Sequence, residues 1–434
     1  LLDDDIPACH DIVRTIEVRG HSPEGFSAFE YGAAANLRAF LELASGDIER
    51  AREDLILARV YGDRAEAGFS LGYSVSMMSM VLMAQGQLPQ ALEHLREGLA
   101  LPWMRLDDSV SSAVISACHV HALYEAGDLD AAEAHFERSH EAIAQFALLD
   151  YVCVAFIAMS RIHEVRGRPA QAVELLDELD GIGHARLWPR LVHRVGWERV
   201  RRLLLRGELD RAQAAASRIA AVETPPPAGW IMYCEDTSDD LIGQARLDLH
   251  RGRVHEALEA LDAALRMAQR SGRVHRQIKL GVLKALCEQA GGREAAARES
   301  FFKVLDLARP GGFQRCILEE GSGVIVLLRQ ARGETGRDSE TLGRQAFVAR
   351  LLEACGEGGL AESAPGGLPY EALTEREKKI LVLLANGVSN EEIASRMFVS
   401  RNTIKFHLTN IYSKLAVHRR LQAINAARAM GLIR

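Results

Sequence analysis

The chain has 434 residues, of which 48% are hydrophobic, 26% charged and only 6% aromatic; that balance excludes disordered and fibrous classes, and the length suits about two to four domains. Ala, Leu, Arg and Glu dominate while β-branched and aromatic residues are sparse, which predicts an all-α chain without a large sheet. The formal charge of −7 would alone argue against a phosphate-rich partner, yet residues 370–434 hold eleven Lys or Arg against five Glu, leaving 41 basic and 54 acidic residues elsewhere. An acidic body thus precedes a basic tail.

From the first residues onward the dominant signal is a repeat. Glycine followed five positions later by alanine recurs at Gly46/Ala51, Gly86/Ala91, Gly127/Ala132, Gly167/Ala172, Gly207/Ala212, Gly252/Ala257 and Gly292/Ala297, at spacings of 40, 41, 40, 40, 45 and 40. Nine residues after each glycine stands Leu55, Leu95, Phe136, Leu176, Ala216, Leu261 or Phe301. The pattern predicts seven helical hairpins. In each, glycine ends the first helix at positive φ, a polar turn such as Asp128 or Glu208 follows, and the small alanine lets the second helix pack closely. One hairpin cannot bury its own apolar faces, so stacking is expected to give a right-handed superhelix with a concave inner surface.

The 45-residue spacing contains Thr224-Pro225-Pro226-Pro227-Ala228-Gly229-Trp230, which its prolines keep out of a helix. Trp230 and Tyr233 are candidate residues of a ligand cleft; the alternative is a surface loop with Trp230 tucked against a neighbouring helix. Beyond Pro310 the repeat signature fades, and Val324–Leu328 and Phe347–Leu352 read as buried helix segments capping the array. Gly-rich and Pro-rich residues at 356–369 form a linker. The domains expected are therefore a sensor or interaction array over 1–309, a helical cap over 310–355, the linker, and a tail domain over 370–434.

The tail contains short helical patterns with clear stops. Thr374 with Glu377 forms a capping box ahead of Ile380, Leu381, Leu383 and Leu384, and Asn386-Gly387 ends that helix. Ser389 with Glu392 repeats the box before Ile393, Ala394 and Met397, and Ser400 caps a third helix. Two helices joined by a short turn describe a helix-turn-helix. At 100° per residue, Ile404, Leu408, Ile411 and Leu415 share the core side, whereas Asn402, Phe406, Thr409 and Ser413 point away with Lys405 and Asn410 on the flanks. Phe can touch thymine methyls, Thr can bond a base or phosphate, and Lys can reach guanine N7 and O6. His407, near the core margin, suits a backbone contact.

The forty-residue hairpins over roughly 28–309 resemble the degenerate tetratricopeptide-like repeats of MalT-like regulators. In the tail, Leu373-Thr374-Glu375-Arg376-Glu377, Gly387-x-Ser389-Asn390-x-Glu392-Ile393-Ala394, Ser400-x-x-Thr403-Ile404-Lys405-x-His407 and Ile411-Tyr412-x-Lys414-Leu415 together resemble the four-helix LuxR-type DNA-binding domain over its whole length. The resemblance implies base contacts by Lys405, Phe406 and Thr409, joined by Asn402 on the same face. It implies backbone contacts by Thr403, His407, Lys414, Arg419 and Arg420, with Arg401 and Ser413 beside them, and dimer contact through a last helix at about 419–430. Ala416 stands where the family usually has glycine and Phe406 where it has a smaller residue, which leaves operator preference open. MalT-like regulators usually carry a nucleotide-binding domain ahead of their repeats; with a chain that begins Leu1-Leu2, this is read as a fragment or a shortened relative.

Chemistry of other kinds lacks its residues. No phosphate-loop, zincin or hydrolase motif occurs, so the chain is not expected to be an enzyme or to need a cofactor. His119-Val120-His121 and the pair His135 and His140 are spaced unlike paired helical ligands and read as packing or surface histidines, with no metal site expected. Seven cysteines scattered singly indicate neither a disulfide framework nor a zinc knuckle and suit a reducing cytoplasm. The longest apolar run, 151–159, is far short of the roughly 20 residues that span a bilayer. The reading is a cytoplasmic transcription regulator acting as a homodimer or higher homo-oligomer on double-stranded promoter DNA. It would meet RNA polymerase if it activates, and would sense a small-molecule inducer or partner protein on the concave face of the repeats. The alternative is a protein-interaction scaffold whose helix-turn-helix no longer binds DNA.

Overall fold

A computed structural model describes residues 6–19, 27–101, 109–219, 227–333, 339–356, 375–385 and 388–397, and, near the C-terminus, Ile404, Leu408, Ile411, Arg420, Ala423, Ile424 and Ala427. Among the described residues the chain is helical, with no strand. After α1 (Ile6–Arg19) come seven hairpins: α2 (Ala28–Ser45) with α3 (Ile48–Arg64), α4 (Gly68–Ala84) with α5 (Leu88–Leu99), α6 (Val110–Ala126) with α7 (Leu129–Phe146), and α8 (Leu149–Val165) with α9 (Pro169–Ala185). The series continues through α10 (Pro189–Leu205) with α11 (Leu209–Ala216), α12 (Asp240–Arg251) with α13 (Val254–Arg270), and α14 (Val274–Ala290) with α15 (Glu294–Gly311). The short α16 (Arg315–Leu318), then α17 (Ser322–Arg332) and α18 (Ser339–Ala354), complete the body. In the tail, α19 (Glu375–Ala385) and α20 (Asn390–Arg396) are described.

The expected hairpin turn is present seven times. Every repeat glycine has positive φ, between 69° and 97°, and the residue after it donates its N–H to the carbonyl five positions back: Asp47 to Glu42, Gln87 to Leu82, Asp128 to Leu123, Arg168 to His163, Glu208 to Leu203, Arg253 to Asp248 and Arg293 to Glu288. This is the Schellman closure, which satisfies carbonyls that the helix end leaves without a partner. Asp47 and Asp128 serve twice, their carboxylates also accepting the Arg50 and Ala131 N–H groups and so capping the next helix. The seven alanines five residues on are all buried. The residues nine on are buried as well, apart from Ala216, which is half-buried in the shortest of the second helices.

First and second helices differ in what surrounds them. In α13 the buried positions Ala257, Leu258, Leu261, Ala264 and Ala268 make one apolar stripe with a solvent face opposite. In α8 every residue from Leu149 to Ile162 is buried. First helices thus have no wet side in the middle of the array, and an open concave trough, as expected from the sequence, is not what the chain builds there. Two segments fill it. Residues 231–239, arriving from the long fifth unit, place the Ile231 N–H on Ala44 O at 2.8 Å and the Cys234 N–H on Asp150 Oδ1 at 3.0 Å. Residues 313–320 form a strap that returns to α6: Gln314 donates through its backbone N–H to Glu125 O (2.8 Å) and through Nε2 to Ala126 O (2.6 Å). The region expected to cap the array thus begins by running through its interior.

The array also closes on itself. Arg273, at the entrance of α14, donates to Leu43 O at the end of α2, to Ile231 O (2.8 Å) and to Asp236 Oδ1 (2.7 Å). Val274 meets Gly86 at the end of α4, and Gly311 meets the Gly86 carbonyl from the other direction. The seventh hairpin therefore packs against the first two.

Candidate functional site

The tail has its own core. Ile380, Leu381 and Leu384 of α19, Ile393 and Ala394 of α20, and Ile404, Leu408, Ile411, Ala423, Ile424 and Ala427 form one buried cluster, with Leu383 and Met397 partly buried against it. The helical phase expected for Ile404, Leu408 and Ile411 is therefore present; Leu415 lies outside the described residues. Ser389 and Glu392 form the expected reciprocal cap, the Ser389 N–H and Oγ each reaching Glu392 Oε2, at 3.0 and 2.8 Å, and Oγ accepting from the Glu392 N–H at 3.3 Å. These bonds hold the Glu392 carboxyl below its ordinary range. The Thr374 box, the Asn386-Gly387 stop and the Ser400 cap fall outside the described residues.

So do Arg401, Asn402, Thr403, Lys405, Phe406, His407, Thr409, Ser413, Lys414 and Arg419. Arg420 is described. Its Nη2 donates to Leu384 O at 3.1 Å and Val388 O at 2.8 Å, so it fastens the last helical residues to the joint between α19 and α20. A basic residue at that spacing carries no sequence signal that separates this inward role from a phosphate contact.

In the body, Trp230 and Tyr233 do not line a common cleft. Trp230 is half-buried against the cluster of Cys9, Leu41, Ala44 and Met232. Tyr233 is buried, and its hydroxyl meets His121 Nδ1 at 2.8 Å. The physical reason is the path of residues 231–239: they run into the array rather than over its surface. An open cavity of about 360 Å³ does exist elsewhere, between the first three hairpins, lined by Leu37, Phe69, Tyr73, Met77, Phe146 and Leu148. None of these residues stood out in the sequence, because apolar residues at helical spacing look the same whether they pack or line a void.

The strap also organises the charged interior. Glu319 accepts from Tyr124 Oη at 2.9 Å, from Arg161 Nη1 and from Lys279 Nζ, while Glu320 accepts from Lys279 Nζ at 2.7 Å and from Arg246 Nη2 at 2.6 Å. Arg161 and Arg201 share Glu198, and Arg201 reaches on to Glu164 and to the Glu319 carbonyl. Burial alone would raise Glu319, but Arg161, Lys279, Arg201 and Arg246 outweigh it and hold the carboxyl well below its usual range. For Glu320 the same contest, with Arg246 and Lys279 as the strongest cations, ends at about 2. Both carboxylates are thus ionised at neutral pH, each matched by buried cations. All seven cysteines are free thiols, six of them buried, and no helix among the described residues is long and apolar enough to cross a membrane.

Known proteins resemble the two parts of the chain separately. The MalT-like TPR region matches residues 41–334, and the family described as bacterial regulatory proteins, luxR family, matches residues 371–427. Similar proteins include the probable transcriptional regulatory protein SgaR of Hyphomicrobium methylovorum, 52% identical over 56 residues, 13% of this chain and 26% of SgaR. The transcriptional regulatory protein LiaR of Bacillus subtilis is 48% identical over 145 residues, 32% of this chain and 64% of LiaR. The response regulator protein VraR of Staphylococcus aureus is 52% identical over 64 residues, 15% of this chain and 31% of VraR. Each of these relatives is thus matched over less than two thirds of its own length. The repeat match covers well over half of the chain, which belongs to the MalT-like TPR region family and ends in a luxR-family regulatory domain.

Proposed function

We propose that the protein is a sequence-specific DNA-binding transcription regulator whose helical-repeat body controls the tail domain. The observation that carries this reading is the luxR-family match over 371–427, together with burial of Ile404, Leu408 and Ile411 in one core with α19 and α20. Burying that stripe turns the opposite side of the helical segment outward. On that side Phe406, Thr409 and Asn402, with Lys405 on its flank, read base edges, while Arg401, Thr403, His407, Ser413, Lys414 and Arg419 around them engage phosphates. Arg420 supports them from its anchorage on Leu384 and Val388. Residues 370–434 act as one domain behind the 356–369 linker, and two copies pair on a two-fold site. The sensing role falls to the body: an apolar small molecule in the cavity between Phe69, Tyr73 and Phe146 shifts the population of arrangements that release or pair the tail domains.

The test is selection of duplex DNA from a random-sequence pool by the full chain, followed by binding of the enriched fragment at several salt concentrations. The expected result is one enriched motif, with log affinity falling by about 0.9 per neutralised phosphate for each decade of salt. Binding should be lost in a folded variant carrying Lys405→Ala and Thr409→Ala. No enrichment would favour the scaffold reading, and unchanged binding by the double variant would refute this recognition surface.

A further inference from the structure

We propose that His121, Glu125, His275 and Cys316 form a structural zinc site in the interior of the repeat array. Three parts of the chain converge there. His121 and Glu125, four residues apart on α6, share one helix face; His275 comes from α14 in the seventh hairpin; and Cys316 comes from the strap, 191 residues from Glu125. His275, Glu125 and Cys316 are wholly inaccessible to solvent and His121 nearly so.

The donor atoms are gathered, and those of His275 and Glu125 lack hydrogen-bond partners. One atom each from Glu125, His275 and Cys316 lies within 4.8 Å of the others. His275 Nε2 is 3.4 Å and His121 Nε2 3.7 Å from Glu125 Oε1. Neither nitrogen of His275, nor Glu125 Oε1, makes a hydrogen bond among the described residues. Buried polar atoms in helices as well packed as α6 and α14 are ordinarily paired, so Glu125 Oε1 and the His275 Nε2 facing it call for a shared partner.

The surroundings fix how each ligand presents itself. Glu125 Oε2 accepts the Cys316 N–H at 3.0 Å, which leaves Oε1 to face the histidines. His121 Nδ1 meets the Tyr233 hydroxyl at 2.8 Å, which leaves Nε2 turned inward, the outer-shell arrangement that sets a ligand's ring orientation. Tetrahedral zinc, at about 2.0 to 2.3 Å from N, O and S ligands, needs donor separations of about 3.3 to 3.8 Å, so the Glu125, His275 and Cys316 donors must close by up to about 1 Å, and His121, which stands outside that group of three, must move in further. Sulfur and imidazole together select a borderline-soft metal over calcium or magnesium. On binding, the Cys316 S–H bond breaks, its electron pair goes to the metal and its proton to solvent. The thiolate and the Glu125 carboxylate then neutralise the dication, with no change in oxidation state. The ion would fasten the strap to α6 and α14.

The experiment uses the full chain, stripped with a chelator, incubated with zinc(II), desalted and measured by elemental analysis, with cobalt(II) as a spectroscopic probe. The expected result is one zinc per chain and a thiolate-to-cobalt charge-transfer band. Cys316→Ser and His275→Gln should lose the metal, His119→Gln should keep it, and Tyr233→Phe should weaken affinity by roughly 10- to 100-fold. Substoichiometric zinc, retention by Cys316→Ser, or loss in His119→Gln would overturn the assignment. Should the ligand variants fail to fold, the wild-type cobalt spectrum decides: without the charge-transfer band, Cys316 is not a ligand.

Discussion

Replacing Glu319 by Gln removes one charge from the interior while keeping the side chain's size. The sector it serves joins the cations Arg161, Arg201, Arg246 and Lys279 to the carboxylates Glu198, Glu319 and Glu320, with Glu164 shared between Arg201 and Arg202 at its margin. Glu319→Gln leaves an unmatched buried positive charge. Breaking a buried ion pair costs about 3 to 5 kcal/mol. Lys279 keeps Glu320 at 2.7 Å and Arg161 keeps both oxygens of Glu198, which places the expected loss near the lower end, about 3 kcal/mol. Lys279→Met alone should cost a similar amount by stranding Glu319 and Glu320 together. The double variant restores the balance, so it should be more stable than the sum of the singles by about 1 to 3 kcal/mol, the range seen for residues sharing one network. Urea denaturation followed by tryptophan fluorescence reads the body selectively, because residues 370–434 contain no Trp. A single-variant loss under about 1 kcal/mol, or additivity within about 0.5 kcal/mol, would show that the strap is not held by these charges.

Gly127→Ala should cost more than Gly167→Ala: both sit at positive φ, 82° and 69°, but a Cβ at 127 would meet the Gln314 side chain at 2.8 Å whereas the space beside 167 is open. Backbone strain alone is about 1 kcal/mol, so equal losses in urea midpoints would show that the strap yields freely at Gln314. Burial first, then His119 and Arg138, lowers His135 to about 3. Because the unfolded chain takes up that proton near pH 6.5, the associated stability is whole above pH 6.5 and is lost as the pH falls toward 3. His135→Asn should therefore flatten the decline in stability between pH 7 and 5, and an unchanged slope contradicts the burial argument. Ser389→Ala should weaken the start of α20 by about 1 kcal/mol, visible as faster amide exchange over residues 390–396; no change would mean that Glu392 alone maintains the cap.

The repeat was legible because glycine at positive φ and alanine at a close helix crossing are each demanded by local geometry, and their period survives in the letters. The corresponding turns between hairpins were not legible as a class: Glu66 and Leu187 adopt positive φ of 50° and 55° without being glycine, so nothing in composition marks them. The tail core was legible from helical phase alone, as Ile404, Leu408 and Ile411 show. The strap was invisible for a different reason. Glu319 and Glu320 look like a solvated acidic pair until Arg161, 158 residues earlier, is brought against them. His121 suffered the same fate: its nearest histidine in sequence, His119, packs edge-to-face with His135 instead, and the rings beside it are His275 of α14 and Tyr233.

Solenoids ordinarily have two free ends, and their stability accumulates as a string of nearest-neighbour terms. Contact of the seventh hairpin with the first two, through Arg273 and Val274, converts that string into a cycle. In a cycle no unit is terminal, so fraying cannot start at an end, and removing any one hairpin forfeits two interfaces rather than one. Such a body should lose structure in a single step where an open array would unravel unit by unit. Any signal that opens the junction between first and last hairpins would then loosen the whole ring at once.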